Sequence, residues 1–166
     1  MARPASLSYR FSCLLFFLIF FSFALLGCSN NESPEDHVRQ YVASAVTAVE
    51  SRDALAVRKF ISEHYMDDGR RDRRALVALT MGYFLRHKNI HLFTQISEIK
   101  FPVPDKARVQ LYAAMTGSPA TGAQPLLDIR ADLYQFDLML RKESGEWLLQ
   151  KARWQRTSID DFLSAE

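Results

Sequence analysis

The chain has 166 residues, 48% of them hydrophobic, with 21 Lys and Arg against 19 Asp and Glu and a formal net charge of +2. That length supports one domain with its own core, and the apolar content excludes a disordered polymer. Two cysteines exclude a disulfide framework, and the near-balance of charge excludes a surface built for nucleic acid, whose phosphates call for a basic face.

Residues 11–26 are almost wholly apolar, follow Arg3 and Arg10, and end at Gly27 and Cys28 before a polar run. A positive start, an apolar stretch and a small residue at its end make a secretory signal. This 16-residue run falls short of the roughly 20 that a membrane-spanning helix needs. The tetrapeptide Leu25-Leu26-Gly27-Cys28 resembles the lipobox of bacterial lipoproteins. The resemblance implies removal of residues 1–27 and lipidation of Cys28 with a diacylglyceryl thioether and an N-acyl group. More than one chain is needed, because a single acyl chain holds a protein to a membrane only marginally. Ser29, where an Asp would retain such a protein at the inner membrane, implies the periplasmic face of the outer membrane. Losing Arg3 and Arg10 brings the 21 cations level with the 19 carboxylates, and losing Cys13 leaves Cys28 as the remaining cysteine. Residues 28–35 then form the lipidated cysteine and a tether. The seven tether residues span at most about 25 Å, and residues 36–166 form the domain.

From Asp36 the periodicity is helical, with Val38, Tyr41, Val42, Ala45, Val46 and Val49 on one face. A short helix is predicted over 54–63, with Asp53 as its N-cap, and a third over 73–88, capped by Asp72. Leu76, Leu79, Thr80, Tyr83, Phe84 and His87 form the third helix's apolar stripe. The segment between them, "HYMDDGRRDRR", reads as a loop in which Gly69 ends a helix with φ > 0 and arginines pair with Asp67 and Asp68. Residues 90–101 read as a strand with apolar residues on both parities, and 107–115 alternate cleanly. In the third run Leu127, Ile129, Ala131 and Leu133 share one parity, and Phe136, Leu138 and Leu140 share the other. A β-bulge near Leu133 and Tyr134 would keep both sets on one face. Glu143-Ser144-Gly145-Glu146 signals a hairpin into a last strand over 147–156, and Ser158 can cap a short tail helix. Helices first and an antiparallel meander after them argue for an α+β fold, with three helices on one face of about four strands.

The segments "VRQYVASAVTAVESRD", "FISEHYMDDG" and "DLYQFDLMLRKESGEWLLQKARW", in this element order, resemble the nuclear transport factor 2-like superfamily across about residues 36–156. The resemblance implies a bent sheet curled into a cone around the helices. Members of that superfamily include ketosteroid isomerase-like and dehydratase-like enzymes as well as non-catalytic binding modules. Fold alone therefore assigns no activity. The pocket candidates are Tyr41, Tyr83, Phe84, Leu111, Leu133, Phe136 and Leu138. Asp128, Asp132 and Asp137 are expected on the other face, so no catalytic residue is assigned. Arg73 and Arg74 sit in a first helical turn, where the dipole disfavours cations, and are anion-binding candidates. No metal site is expected: His87 and His91 straddle a helix-to-strand junction, and the acidic loop lacks the spacing of an EF-hand.

These readings describe a lipid-anchored, periplasm-facing protein without cofactor. It is expected to be non-enzymatic, binding an apolar small molecule or a partner protein, with the membrane as its second partner and no nucleic acid. A small isomerase or lyase, or an interaction subunit of an envelope complex, are the alternatives. The tail helix either packs on the sheet or covers the cavity as a lid.

Overall fold

The computed structural model describes residues 32–117 and 132–164. Cys28, the apolar run before it and residues 118–131, with Leu127, Asp128, Ile129 and Ala131, lie outside them. The order is α1 (Pro34–Glu50), α2 (Ala54–Lys59), α3 (Arg73–Arg86), β1 (His91–Val103), β2 (Lys106–Thr116), β3 (Asp132–Glu143), β4 (Glu146–Arg156) and α4 (Ile159–Leu163). The four strands form one antiparallel sheet in sequential order. Among the described residues no helix is long and apolar enough to cross a membrane.

α1 begins at Pro34, two residues before the predicted start, because proline fits a first helical turn whose amide has no partner to lose. Glu35 and Asp36 in that turn meet the positive end of the helix dipole. α2 is four residues shorter than expected. Asp53 caps it, accepting from the Leu55 and Ala56 amides at 2.9 Å, but the chain leaves the helix at Phe60. From there the Ser62 amide donates to the Leu149 carbonyl, and that of Leu149 to the Phe60 carbonyl. Backbone pairing with β4 has displaced about one further turn of helix. Asp72 caps α3 through the Ala75 amide at 2.8 Å. At the other end the Arg52 guanidinium donates to the Phe84 carbonyl, an unpaired C-terminal acceptor of α3, and to the Lys88 carbonyl just beyond the helix.

The expected bulge at Leu133 and Tyr134 is not there. β2 pairs with β3 without a break from Met115↔Asp132 to Lys106↔Arg141. Tyr134, Phe136 and Leu138 therefore face the helices with Leu111 and Val109, and Leu133 faces the opposite side. It packs there with Ala114, Tyr112 and Phe93 around Phe162 of α4. Apolar residues on both parities meant a strand covered on both faces. Bulges occur elsewhere. Ser97 of β1 is the extra residue between Ile96 and Glu98, which returns Ile96 and Ile99 to one face, and Gln150 is extra in β4. Ser144 (φ 51°) and Gly145 (φ 92°) are both left-handed, as a two-residue hairpin turn requires.

The main core joins Val38 and Val42 of α1 to Ala107, Val109 and Leu111 of β2, Leu140 and Trp147. A second cluster gathers Ile61, Tyr65 and Ala152 beneath Leu76 and Val77. Among the described residues every core residue lies in Pro34–Glu166, a compact unit with a hydrophobic core of its own. α4 is held by a capping box, in which Ser158 and Asp161 satisfy each other's amides. Its Phe162 is 0% exposed. Phe162→Ala should cost about 3–5 kcal/mol of unfolding free energy in urea melts. A loss below about 1 kcal/mol would mean that α4 adds nothing to the core.

Candidate functional site

Between the helices and the inner sheet face lies a cavity of about 430 Å³. α1 contributes Tyr41, Ala45, Val46 and Val49, and α3 contributes Leu76, Leu79, Thr80, Tyr83, Phe84 and Arg86. The floor is Leu92, Thr94, Leu111, Ala113, Met115, Tyr134, Phe136, Leu138 and Trp154. The void follows from side-chain volume. At one end of the sheet Val109, Leu140, Trp147 and Phe101 fill the space beneath α1. Toward the other end Ala113, Thr94, Ala45 and Thr80 are too short to meet across it.

Of the seven pocket candidates, Tyr41, Tyr83, Phe84, Leu111, Phe136 and Leu138 line this cavity and Leu133 does not. The Tyr41 hydroxyl donates to the Phe60 carbonyl at 3.0 Å, and burial pushes its pKa well up, so it is a neutral structural donor. Tyr83 stacks on His87 with ring centroids 4.1 Å apart. Its phenol is also shifted up, first by burial and then by the neighbouring Asp132. Among the described residues of the lining none is a carboxylate, histidine, cysteine or lysine, and Arg86 is the only charged group.

Two acids need separate placement. Asp137 is on the outer face as expected, opposite Gln110 and 3.7 Å from Arg108. Asp132 is not. The unbroken register gives it the inward parity of Tyr134, at the end of β3, where Arg156 donates to it at 3.2 Å. That Arg156 guanidinium also lies 5.9 Å from the Tyr134 ring centroid. Tyr83, Tyr134 and Arg86 thus share one end of the cavity with the Asp132–Arg156 pair. Arg86 was missed in the sequence. It falls three and seven residues after Tyr83 and Leu79, on the same helical stripe, and that spacing could have found it.

The anion candidates divide. Arg73 is ion-paired with Glu63 and donates to the Arg58 carbonyl at 3.1 Å, whereas Arg74 is exposed. The acidic loop is a structural clasp. Asp67, 5% exposed, accepts from the Arg71 amide at 2.9 Å and its Nε at 2.7 Å. Arg71 in turn lies 4.7 Å from the Trp154 ring. Asp68 is held by Lys151 and Arg153 of β4 instead of a neighbouring arginine. Gly69 does not take the left-handed conformation. Arg70 does, at φ 58°. Tyr65 is pushed up to about 12 by burial and by Asp67. Among the described residues no cluster of three potential metal ligands occurs.

No family model matches the sequence, and no curated protein matches it. Solved structures do. A candidate scytalone dehydratase from Novosphingobium aromaticivorans superimposes with a TM-score of 0.61 at 11% identity, over 74% of this chain and 83% of that one. A ketosteroid isomerase-like protein from Erwinia carotovora atroseptica gives 0.56 at 19%, over 78% and 98%. Bd1075 of Bdellovibrio bacteriovorus gives 0.59 at 14%, over 73% of this chain, which spans 40% of that protein. Identities this low show the fold alone. It is the nuclear transport factor 2-like α+β architecture, with a four-stranded open antiparallel sheet and, among the described residues, four mostly short helices, one of them after the sheet.

The clasp sets a pH limit. Arg153 and Lys151 hold Asp68 down to about 2. Burial alone would raise Asp67, but the Arg71 amide and guanidinium outweigh it and lower it. Groups with depressed folded values stabilise above their unfolded value and lose that contribution as pH falls through the folded one. Trp154 emission in a Trp147→Phe background should therefore hold steady down to about pH 4 and change between about pH 4 and 2. Asp67→Asn should show the change already at neutral pH.

Proposed function

We propose that this chain is a lipid-anchored binding protein of the cell envelope, held to the periplasmic face of the outer membrane through Cys28, whose domain takes up an apolar small molecule without transforming it. The observation that carries the reading is the cavity: about 430 Å³, walled by aliphatic and aromatic side chains, with no acid–base pair among the described residues of its lining. Proton abstraction of the isomerase or lyase kind needs a carboxylate or histidine within hydrogen-bond reach of a bound substrate. An open cavity also favours a small-molecule ligand over a purely structural subunit, in which that space would be packed.

One observation favours the isomerase or lyase reading. Asp132 stands on the inward parity near Tyr83 and Tyr134, and similar structures include proteins described as dehydratase and isomerase-like. Against it, Asp132 is outside the lining and ion-paired with Arg156.

An apolar fluorescent dye should bind the Pro34–Glu166 unit in one site. Ala113→Phe, whose added ring occupies the void from the central strand, should weaken that binding at least about tenfold while leaving the melting temperature level or higher. Unchanged dye affinity would reject the cavity as the site. The anchor is tested separately. Mass spectrometry of the native protein should find the chain beginning at Cys28 with added acyl mass. An intact, unmodified Cys28 would reject lipidation, and Cys28→Ser should shift the protein out of the membrane fraction.

A further inference from the structure

Among the described residues that line the cavity only Leu79 and Arg86 are exposed, and both belong to α3, two helical turns apart on the same side. They mark where the cavity meets solvent. Leu79 continues its apolar wall. Arg86 puts a guanidinium on the rim, and guanidinium groups remain charged at any physiological pH. The other charges at this end already have partners: Arg156 holds Asp132, and Glu50 accepts from the Leu92 amide at 2.9 Å. At the start of α3, Asp72 is taken up as its N-cap and Glu63 is ion-paired with Arg73. Arg86 has no carboxylate partner among the described residues. α3 itself contains no acid from Arg73 to Arg86.

The position of Arg86 is fixed by the backbone. Arg52 ties down the last turn of α3 through the Phe84 carbonyl and the chain beyond it through that of Lys88, and His87 stacks on Tyr83. The Tyr83 phenol lies on the same rim and supplies a hydroxyl donor. An apolar chamber closed at its mouth by one uncompensated guanidinium and a phenol has the polarity of an amphipathic anion: hydrocarbon inside, charge at the door.

We infer that the ligand is a long-chain carboxylate of the fatty-acid class, with its alkyl chain in the cavity and its carboxylate on Arg86. This deepens the apolar-ligand reading and rests on it. Arg86 makes a specificity contact and takes part in no reaction. A bidentate guanidinium–carboxylate pair at a partly desolvated rim favours the acid over its neutral alcohol. Arg156 and Asp132 neutralise each other and leave that preference to Arg86.

Dodecanoate and dodecanol are the probes, each titrated against the Pro34–Glu166 unit by displacement of the apolar dye. Dodecanoate should bind at least about tenfold more tightly than dodecanol. Arg86→Gln should bring the two affinities together by weakening dodecanoate alone, and Arg86→Lys should restore part of the difference. Circular dichroism on both variants checks that α3 is intact. Equal affinities in the wild-type unit, or a preference for the acid that survives Arg86→Gln, would overturn the inference while leaving the apolar site standing. Displacement of the dye by neither probe would overturn it too. Failure of the dye itself to bind would remove the apolar-ligand reading and this one with it.

Discussion

With β2 paired on both sides, Ala107, Val109, Leu111 and Ala113 must face the helices together, and a slip of one residue would turn all four outward. The same register decides every face of β3. It sends Tyr134, Phe136 and Leu138 toward the cavity, Asp137 toward Arg108, and Leu133 toward α4. Since β4 is laid against β3 in turn, Ala152 and Trp154 follow inward opposite Leu138 and Phe136. One strand's pairing therefore fixes which side chains are core, which are lining and which are solvent-facing. The departures from that alternation, at Ser97 and between Lys100 and Val103 in β1 and at Gln150 in β4, all lie in outer strands.

That register makes a chamber because side-chain size is unequal along it. Apolar surface left against a void loses the dispersion contacts that packing would give, so an unfilled volume of this kind destabilises the fold. It is tolerated because the surroundings are independently braced. Tyr41 ties α1 to the Phe60 carbonyl, Arg52 ties the end of α1 to the end of α3, and the Asp67–Arg71–Trp154 clasp ties the loop before α3 to β4. The walls are held from outside the cavity. Collapse of α3 into the empty space would have to break those links first.

Much of this was readable from the sequence. Asp53, Asp72 and Ser158 announced three helix starts, because a short polar side chain ahead of an apolar period has few other uses. The clean alternation of residues 107–115 gave β2 its faces. Leu133 was misread for a physical reason. A parity change is the same string whether a strand bulges or is covered on both sides, and only knowing that the tail helix lies on the far face separates the two. The same error put Asp132 outside. Asp68 was matched to arginines close in sequence, whereas its partners, Lys151 and Arg153, come from a strand more than eighty residues on. The lid role considered for the tail fails on the same geometry, since Phe162 packs against Ala114 on the face away from the cavity.

The two outer strands of the open sheet have a consequence for how other chains can engage this one. An unprotected strand flank invites another strand to add to it, in recognition or in aggregation. On β4 that flank is occupied from within: the Ser62 and Met66 amides donate to the Leu149 and Gln150 carbonyls, and the Phe60 carbonyl takes the Leu149 amide. On β1 the Leu92 amide is taken by the Glu50 carboxylate, Ser97 breaks the spacing, and Lys100 and Pro102 follow. Backbone templating is thereby blocked along β4 and interrupted along β1. Any protein partner must instead read its side chains.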